Sequence, residues 1–345
     1  MFVIEDMMME VKAILGMFIS ALALSGCVDK QLLGDGSEEV EGIVSVCVRY
    51  MDSTVKSGED SLKATEEEMM INEVKILVFD RETEALAAVD EIKGIGDDCL
   101  FRLPVGQKIV CALVNGPDVG DVTSLKQLEA IVDSLPVTSF GTDGLTMFGK
   151  MECVVSGTSV PEVVTIDVQW LVSRVLLRRV TCNLPEQYGE MMLECVYLGN
   201  ANVAQTLGGS ESCMVNINGK EDYGQFRPIG KDGITGSCAD YLFRNVAKKI
   251  SIDSTMDEWY CMYCHPNRSS DYTCLYLLAT IGDDQYYYRV PLDNGLEANS
   301  TCSVDVRITN LGSKTPPDGN LEKGDITAVL NIHGWTGGDE YVVEF

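Results

Sequence analysis

Apolar and polar residues alternate with a period of two along much of this chain. Val44, Val46 and Val48 alternate with Ser45, Cys47 and Arg49, the pattern of a strand with one buried face. Segments 73–80 (EVKILVFD), 99–106, 107–115, 191–198, 273–281 and 285–292 read as further strands, punctuated by Asp and Gly. Val304, Val306 and Ile308 predict one face of a strand whose other face is Asp305, Arg307 and Thr309. Near the end, Ile326, Ala328, Leu330 and Ile332 alternate with Thr327, Val329, Asn331 and His333. Segment 163–184 is a long apolar and basic stretch with strand chemistry that passes between domains. The clearest helix is 124–135, with Leu125, Leu128, Ile131, Val132 and Leu135 on one face and Thr123 or Ser124 as its cap. Residues 51–71 read as a polar loop, and 205–258 as long, Gly-rich surface loops. Many short strands with few helices predict an all-β protein built of β-sandwiches.

The N-terminus has a different texture. Residues 13–24 (AILGMFISALAL) carry no charge, are too short to span a bilayer, and have the length of a signal-peptide core. Lys12 precedes them and Leu24-Ser25-Gly26-Cys27 follows, a bacterial lipobox pattern in which cleavage between Gly26 and Cys27 leaves a lipidated Cys27 as the first residue. Glu5, Asp6 and Glu10 stand where such a leader is normally basic, so translation is expected to start at Met7, Met8 or Met9 rather than Met1. Residues 1–26 are therefore read as a leader and 27–41 as an acidic tether. The remainder of the 345 residues is long enough for two domains.

Charge narrows the functional classes. Lys and Arg number 26 against 53 Asp and Glu, a net −27, which becomes −25 once Glu5, Asp6, Glu10 and Lys12 leave with the leader. Such a field repels phosphate backbones and argues against nucleic-acid partners. There are only two histidines, His265 and His333, so a His-rich metal site or a His base has little to draw on. His333 reads as an exposed strand residue. The motif Cys261-Met262-Tyr263-Cys264-His265 matches the attachment signature of c-type haem, and a thiol-redox pair is a second reading of the same residues. Cys261, Cys264, His265 and Cys274 also supply the donor types that zinc needs. Yet the segment reads as a strand, on which residues three apart lie about 10 Å apart on opposite faces, which splays the thiols. No cofactor and no metal set are therefore expected. Of 13 cysteines, 12 remain after Cys27. Cys47, Cys111, Cys195 and Cys274 sit inside apolar strands as small hydrophobes, so few disulfides are expected.

Several segments, taken in order, resemble the FimA-type fimbrillins, the fimbrial subunits of type V pili in Bacteroidales. They are the lipobox Cys27, the strand GIVSVCVRY, EVKILVFD, LPVGQKIVCALVNGP, the helix with Leu125 and Leu128, WLVSRVLLRRV, CHPN, YYYRVPL, NSTCSVDVRITNLGSKTPP and ITAVLNIHGW. The resemblance implies two transthyretin-like β-sandwich domains, 42–167 and 168–345, and a non-enzymatic pilus subunit that supports adhesion. It implies polymerisation by donor-strand exchange. A lipidated precursor reaches the outer membrane, a trypsin-like protease removes the first strand with Val44, Val46 and Val48, and a neighbouring subunit fills the groove. Ile326, Ala328, Leu330 and Ile332 are the donor positions, with Trp335 as an anchor. The family often has Arg at the cut; the loop after Arg49 offers Lys56, with Lys63 and Arg49 itself as fallbacks. A chain left uncut would stay lipid-anchored, as accessory, tip or anchor subunits do.

Overall fold

The computed structural model describes residues 40–51, 64–135, 144–209, 212–215, 239–267, 272–292, 296–314, 326–334 and 341–344; the backbone alone is described for 212–215, 239–240, 326–327, 332–334 and 341–344. The described residues all belong to one compact unit that begins at Val40. The expected leader and tether, the loop lysines Lys56 and Lys63, and Trp335 lie outside them, as does the side chain of His333.

The chain is almost entirely strand. In order it forms β1 (Glu41–Tyr50), β2 (Val74–Asp80), β3 (Leu86–Ile92), β4 (Asp98–Pro104), β5 (Gly106–Val114), a short helix α1 (Leu125–Glu129), β6 (Val132–Ser134), β7 (Met147–Val155), β8 (Glu162–Trp170) and β9 (Ser173–Cys182). It continues with β10 (Met191–Gly199), β11 (Ala201–Thr206), β12 (Ser212–Val215), α2 (Ala239–Leu242), β13 (Phe243–Ile250), β14 (Ser254–Met256) and β15 (Tyr260–Cys264). It ends with β16 (Cys274–Ile281), β17 (Asp284–Pro291), β18 (Ser300–Ile308), β19 (Ile326–Gly334) and β20 (Tyr341–Glu344).

The first half forms one seven-stranded sheet in the order β3-β2-β5-β7-β8-β1-β4. The second half forms two sheets. One has the order β13-β10-β16-β17; the other is β14-β9-β18-β19-β20, with β15 also on β9. A small three-stranded sheet, β12-β11-β6, joins one strand of the first half to two of the second. Side-chain alternation explains the packing. Val44, Val46 and Val48 on β1, Val164, Ile166 and Val168 on β8, and Val304, Val306 and Ile308 on β18 all turn inward and are buried.

Two expectations, the helix and the 205–258 loops, need correction, and the 163–184 strand reading gains detail. The helix stops at Glu129, and Val132–Ser134 is a strand, β6, paired antiparallel with β11. Its cap is Ser124, whose hydroxyl accepts from the Gln127 amide at 3.4 Å. Leu125 and Leu128 are buried as a helical face requires, but Val132 is 44% exposed because its segment no longer follows helical spacing. The 163–184 stretch is two strands, β8 and β9, broken at Leu171 and Val172. The 205–258 region, read as loops, contains α2, β12, β13 and β14.

The Val-Asn-Gly-Pro segment has a clear local cause. Asn115 sits at a positive φ of 50°, a conformation Asn tolerates better than most residues. Its side chain accepts from the Asn72 amide at 2.8 Å and donates to the Met70 carbonyl at 2.6 Å, fastening the chain ahead of β2.

Candidate functional site

The first strand has an unusual seat. β1 runs antiparallel to β4 from Glu41↔Pro104 to Cys47↔Asp98, and parallel to β8 from Val44↔Glu162 to Tyr50↔Val168. It is thus hydrogen-bonded on both edges although it is the first strand of the sheet. Its three inward valines are fully buried. Burying them contributes about 5–9 kcal/mol at 1.5–3 kcal/mol each.

Both ends of the seat are specialised. At one end the Arg49 guanidinium pairs with Asp167 of β8, one of its two contacts being 3.3 Å. Tyr50 stacks on Trp170 with ring centres 5.9 Å apart and donates to the Met69 carbonyl at 2.9 Å. At the other end Gly42 lies on the same face as the valines and is buried. A Cβ added there would sit 2.1 Å from the Ser156 carbonyl oxygen and 2.8 Å from Val155 Cγ1. Sequence reasoning missed Gly42, although a glycine at an inward strand position is a sign of close backbone approach.

The chain re-emerges from the polar loop into a second, fully buried feature. Thr65 and Glu68 bond reciprocally: the Thr65 amide donates to Glu68 Oε2 at 2.6 Å and the Glu68 amide to Thr65 Oγ1 at 3.2 Å, the geometry of a capping box. The Glu68 carboxylate then enters the protein with no exposure at all. Arg174 of β9 donates to both its oxygens, at 3.2 and 3.0 Å, and the Tyr263 hydroxyl of β15 donates at 2.6 Å. Arg174 also donates to Thr301 Oγ1 at 3.0 Å, and Trp170 Nε1 donates to the Glu68 carbonyl at 3.1 Å. Residues 64–70 are therefore held mainly through Glu68 by β9 and β15 of the second half, with Trp170 of β8 and Tyr50 of β1 adding contacts to the backbone. A position read as solvated loop is a buried anchor.

The expected donor positions fall on β19. This strand pairs with β18 over nine positions, from Ser300↔Gly334 to Ile308↔Ile326, and with β20 on its other side. Ala328 and Leu330 are buried; the side chains of Ile326 and Ile332 lie outside the described residues. To donate, this segment must leave β18.

The Cys261–His265 motif does not converge. It lies on β15, paired with β9 from Tyr260↔Leu177 to Cys264↔Ser173, so Cys261 and Cys264 occupy opposite faces. His265 is fully buried. Its Nδ1 lies 3.2 Å from the Leu171 carbonyl; Nε2 lies 3.4 Å from Asp133 Oδ2 of β6, too poorly aligned for a hydrogen bond. Burial lowers the His265 pKa to about 4 and raises that of Asp133 to about 7, favouring the uncharged form of each. The motif's histidine thus belongs to the contact between β15 and the small β6 sheet. Among the described residues no three or more His, Cys, Asp or Glu side chains come together as a metal set. The ten cysteines whose side chains are described are all free thiols. Cys111, Cys195 and Cys274 are fully buried, while Cys47 faces partly outward from β1.

No family model matches the sequence, and no curated protein matches it. Solved structures do match in shape. A candidate cell adhesion protein from Parabacteroides distasonis superposes with a TM-score of 0.62 at 14% identity, covering 88% of this chain and 100% of that one. A fimbrilin, FimA, from Porphyromonas gingivalis gives 0.59 at 14% identity, covering 86% and 98%. A fimbrial assembly protein from Parabacteroides distasonis gives 0.52 at 13% identity, covering 88% and 99%. Across nearly its whole described length, this chain has the all-β fold of the fimbrilins.

Proposed function

We propose that the chain is a structural, non-enzymatic subunit of a surface fimbria, exported as a lipoprotein and polymerised by protease-assisted strand exchange. The observation that carries this reading is the seat of β1. An N-terminal strand buried between two partners, followed by a polar loop bearing Lys56 and Lys63, is a removable plug. Cutting in that loop frees β1 from the rest of the chain, because the chain after it is fastened separately through Glu68, Arg174 and Asn115. Loss of β1 leaves unpaired edges on β4 and β8 and an apolar groove, which an extended segment fills by ladder hydrogen bonds and alternate side chains. The similarity to fimbrial and adhesion proteins supports the same reading. In it, Cys27 carries the lipid at the outer membrane, a trypsin-like protease cuts after Lys56, and residues 326–332 of the next subunit enter the groove. The boundaries 42–167 and 168–345 are proposed as the two sandwich domains, with β8 of the first running on to Trp170 and β6 crossing to the second.

A second reading is an uncut, lipid-anchored accessory subunit. It draws on the Arg49–Asp167 ion pair, which occupies the one arginine near the loop in holding β1 down. Electron microscopy of the mature chain before and after limited trypsin digestion tests both. Filaments or ladders after cutting support the first reading; monomers after complete removal of β1 refute it and leave the second.

A further inference from the structure

We infer that the seat of β1 is keyed by the slot at Gly42, and that residues 324–332 of a second copy enter it in the direction of β1 with Gly324 in that slot. The inference rests on the strand-exchange reading above and fixes its register. The slot is made of backbone. The atom nearest to an added Cβ, at 2.1 Å, is the Ser156 carbonyl oxygen just beyond the end of β7, and it cannot swing aside as a flexible side chain would. Any strand in this seat must place a glycine there.

From the slot, the inward positions of β1 read Gly42, Val44, Val46, Val48 and Tyr50. The C-terminal segment reads Gly324, Ile326, Ala328, Leu330 and Ile332 with the same spacing. Gly324 lies outside the described residues and enters only through the sequence. A slip of one residue puts Lys323 or Asp325 in the slot and turns Thr327, Val329 and Asn331 inward. A slip of two puts Glu322 or Ile326 there. The fill also agrees. Three valines carry nine side-chain carbons, and Ile326, Ala328 and Leu330 together carry nine. Swaps that conserve total volume are the ones a packed core tolerates best.

Run backwards, the segment would bring Gly334 to the slot instead. The seat favours the forward direction because that is the direction in which its two walls pair with β1. β4 presents its groups to an antiparallel neighbour and β8 to a parallel one. A reversed strand would need the unequal spacing of an antiparallel ladder on β8 and the even, slanted spacing of a parallel one on β4.

The test uses the mature chain nicked in its 52–63 loop by limited trypsin digestion and mixed with fluorescent peptides of residues 322–335. A peptide separates fit in the slot from release of β19 from its own sheet. Release of the N-terminal fragment is followed by mass spectrometry, and peptide retention by size exclusion. The wild-type and Gly334→Val peptides should displace the fragment, and the Gly324→Val peptide should do so at least about tenfold more slowly. Equal rates for wild type and Gly324→Val would overturn the slot. Loss with Gly334→Val and not Gly324→Val would overturn the direction. If none of the three displaces the fragment while a fresh 41–50 peptide does, the donor lies elsewhere and the strand-exchange assignment itself falls.

Discussion

Replacing Glu68 by Gln tests the joint between the two halves of the chain. Glu68 has no exposed surface and the Arg174 side chain is 3% exposed, so neither charge is hydrated. Glu68→Gln keeps the shape and the capping contacts to Thr65 but leaves the guanidinium facing a neutral amide. Breaking a buried pair from one side costs about 3–5 kcal/mol, because the remaining charge is uncompensated. That is about two to nearly four orders of magnitude in the unfolding equilibrium. Trp170 is the natural reporter, since its indole donates to the Glu68 carbonyl at 3.1 Å. With Trp259 and Trp335 changed to Phe, guanidinium titrations followed by Trp170 fluorescence give the difference directly. Arg174→Met should cost a similar amount, and the double variant should recover much of the loss, because no uncompensated charge is then left buried. A loss below about 1 kcal/mol for Glu68→Gln, the range of an exposed pair, would show that water reaches the joint and would refute the reasoning.

Other outcomes follow from groups already described. Asp133 has a folded pKa above its unfolded 3.8, so its contribution to stability is complete below about pH 4 and is lost as pH rises through 7. His265 has a folded pKa below its unfolded 6.5, so its contribution is present above 6.5 and is lost as pH falls to 4. The two slopes oppose each other in the wild type; Asp133→Asn should leave stability rising from pH 4 to 6.5, and His265→Gln should leave it falling from pH 4 to 7. Urea midpoints across that range check this, and parallel profiles would count against it. Burial raises the thiol pKa of Cys99, Cys111, Cys264 and Cys302 to about 12, so at pH 8 iodoacetamide should modify these four only after unfolding; peptide mass mapping reads this. Gly42→Ala should destabilise the intact chain by about 1–3 kcal/mol through overpacking, whereas Gly94→Ala, whose added Cβ would meet only the Asp97 carboxylate at 3.9 Å, should be nearly neutral. Thermal melts of the two should separate clearly.

The strands that could be read from the sequence are those with one wet face and one dry face. Val44, Val46 and Val48 alternate because β1 lies in a sheet with a core on one side. β3 escaped notice because most of its residues are exposed and no apolar stripe marks it. β13 carries Lys248 and Lys249 on an edge, a pattern that composition alone assigns to loop. The helix was overextended because Ile131 and Val132 fit its spacing, yet pairing of β6 with β11 overrides that preference. Within the candidate site, the valines were legible and the glycine slot was legible only in principle. Glu68 and Arg174 were not, since a charged residue in a polar segment reads as solvated until its partner, 106 positions away, is brought beside it. The Cys-x-x-Cys-His spacing was conspicuous and misleading, because strand geometry decides where the thiols point.

The placement of β1 also decides how the protein bears load. A strand at the rim of a sheet, such as β20, peels away one hydrogen bond at a time when its end is pulled. β1 is gripped on both edges and runs parallel to one neighbour, so tension along its axis from the N-terminus strains two ladders together in shear. Rupture then requires many bonds to give way at once, and resistance to forced unfolding is set by that rate and not by equilibrium stability. A chain tethered by its N-terminus would enter its fold through the strand best placed to withstand drag. Only a cut in the loop behind β1 would turn that grip into a point of release.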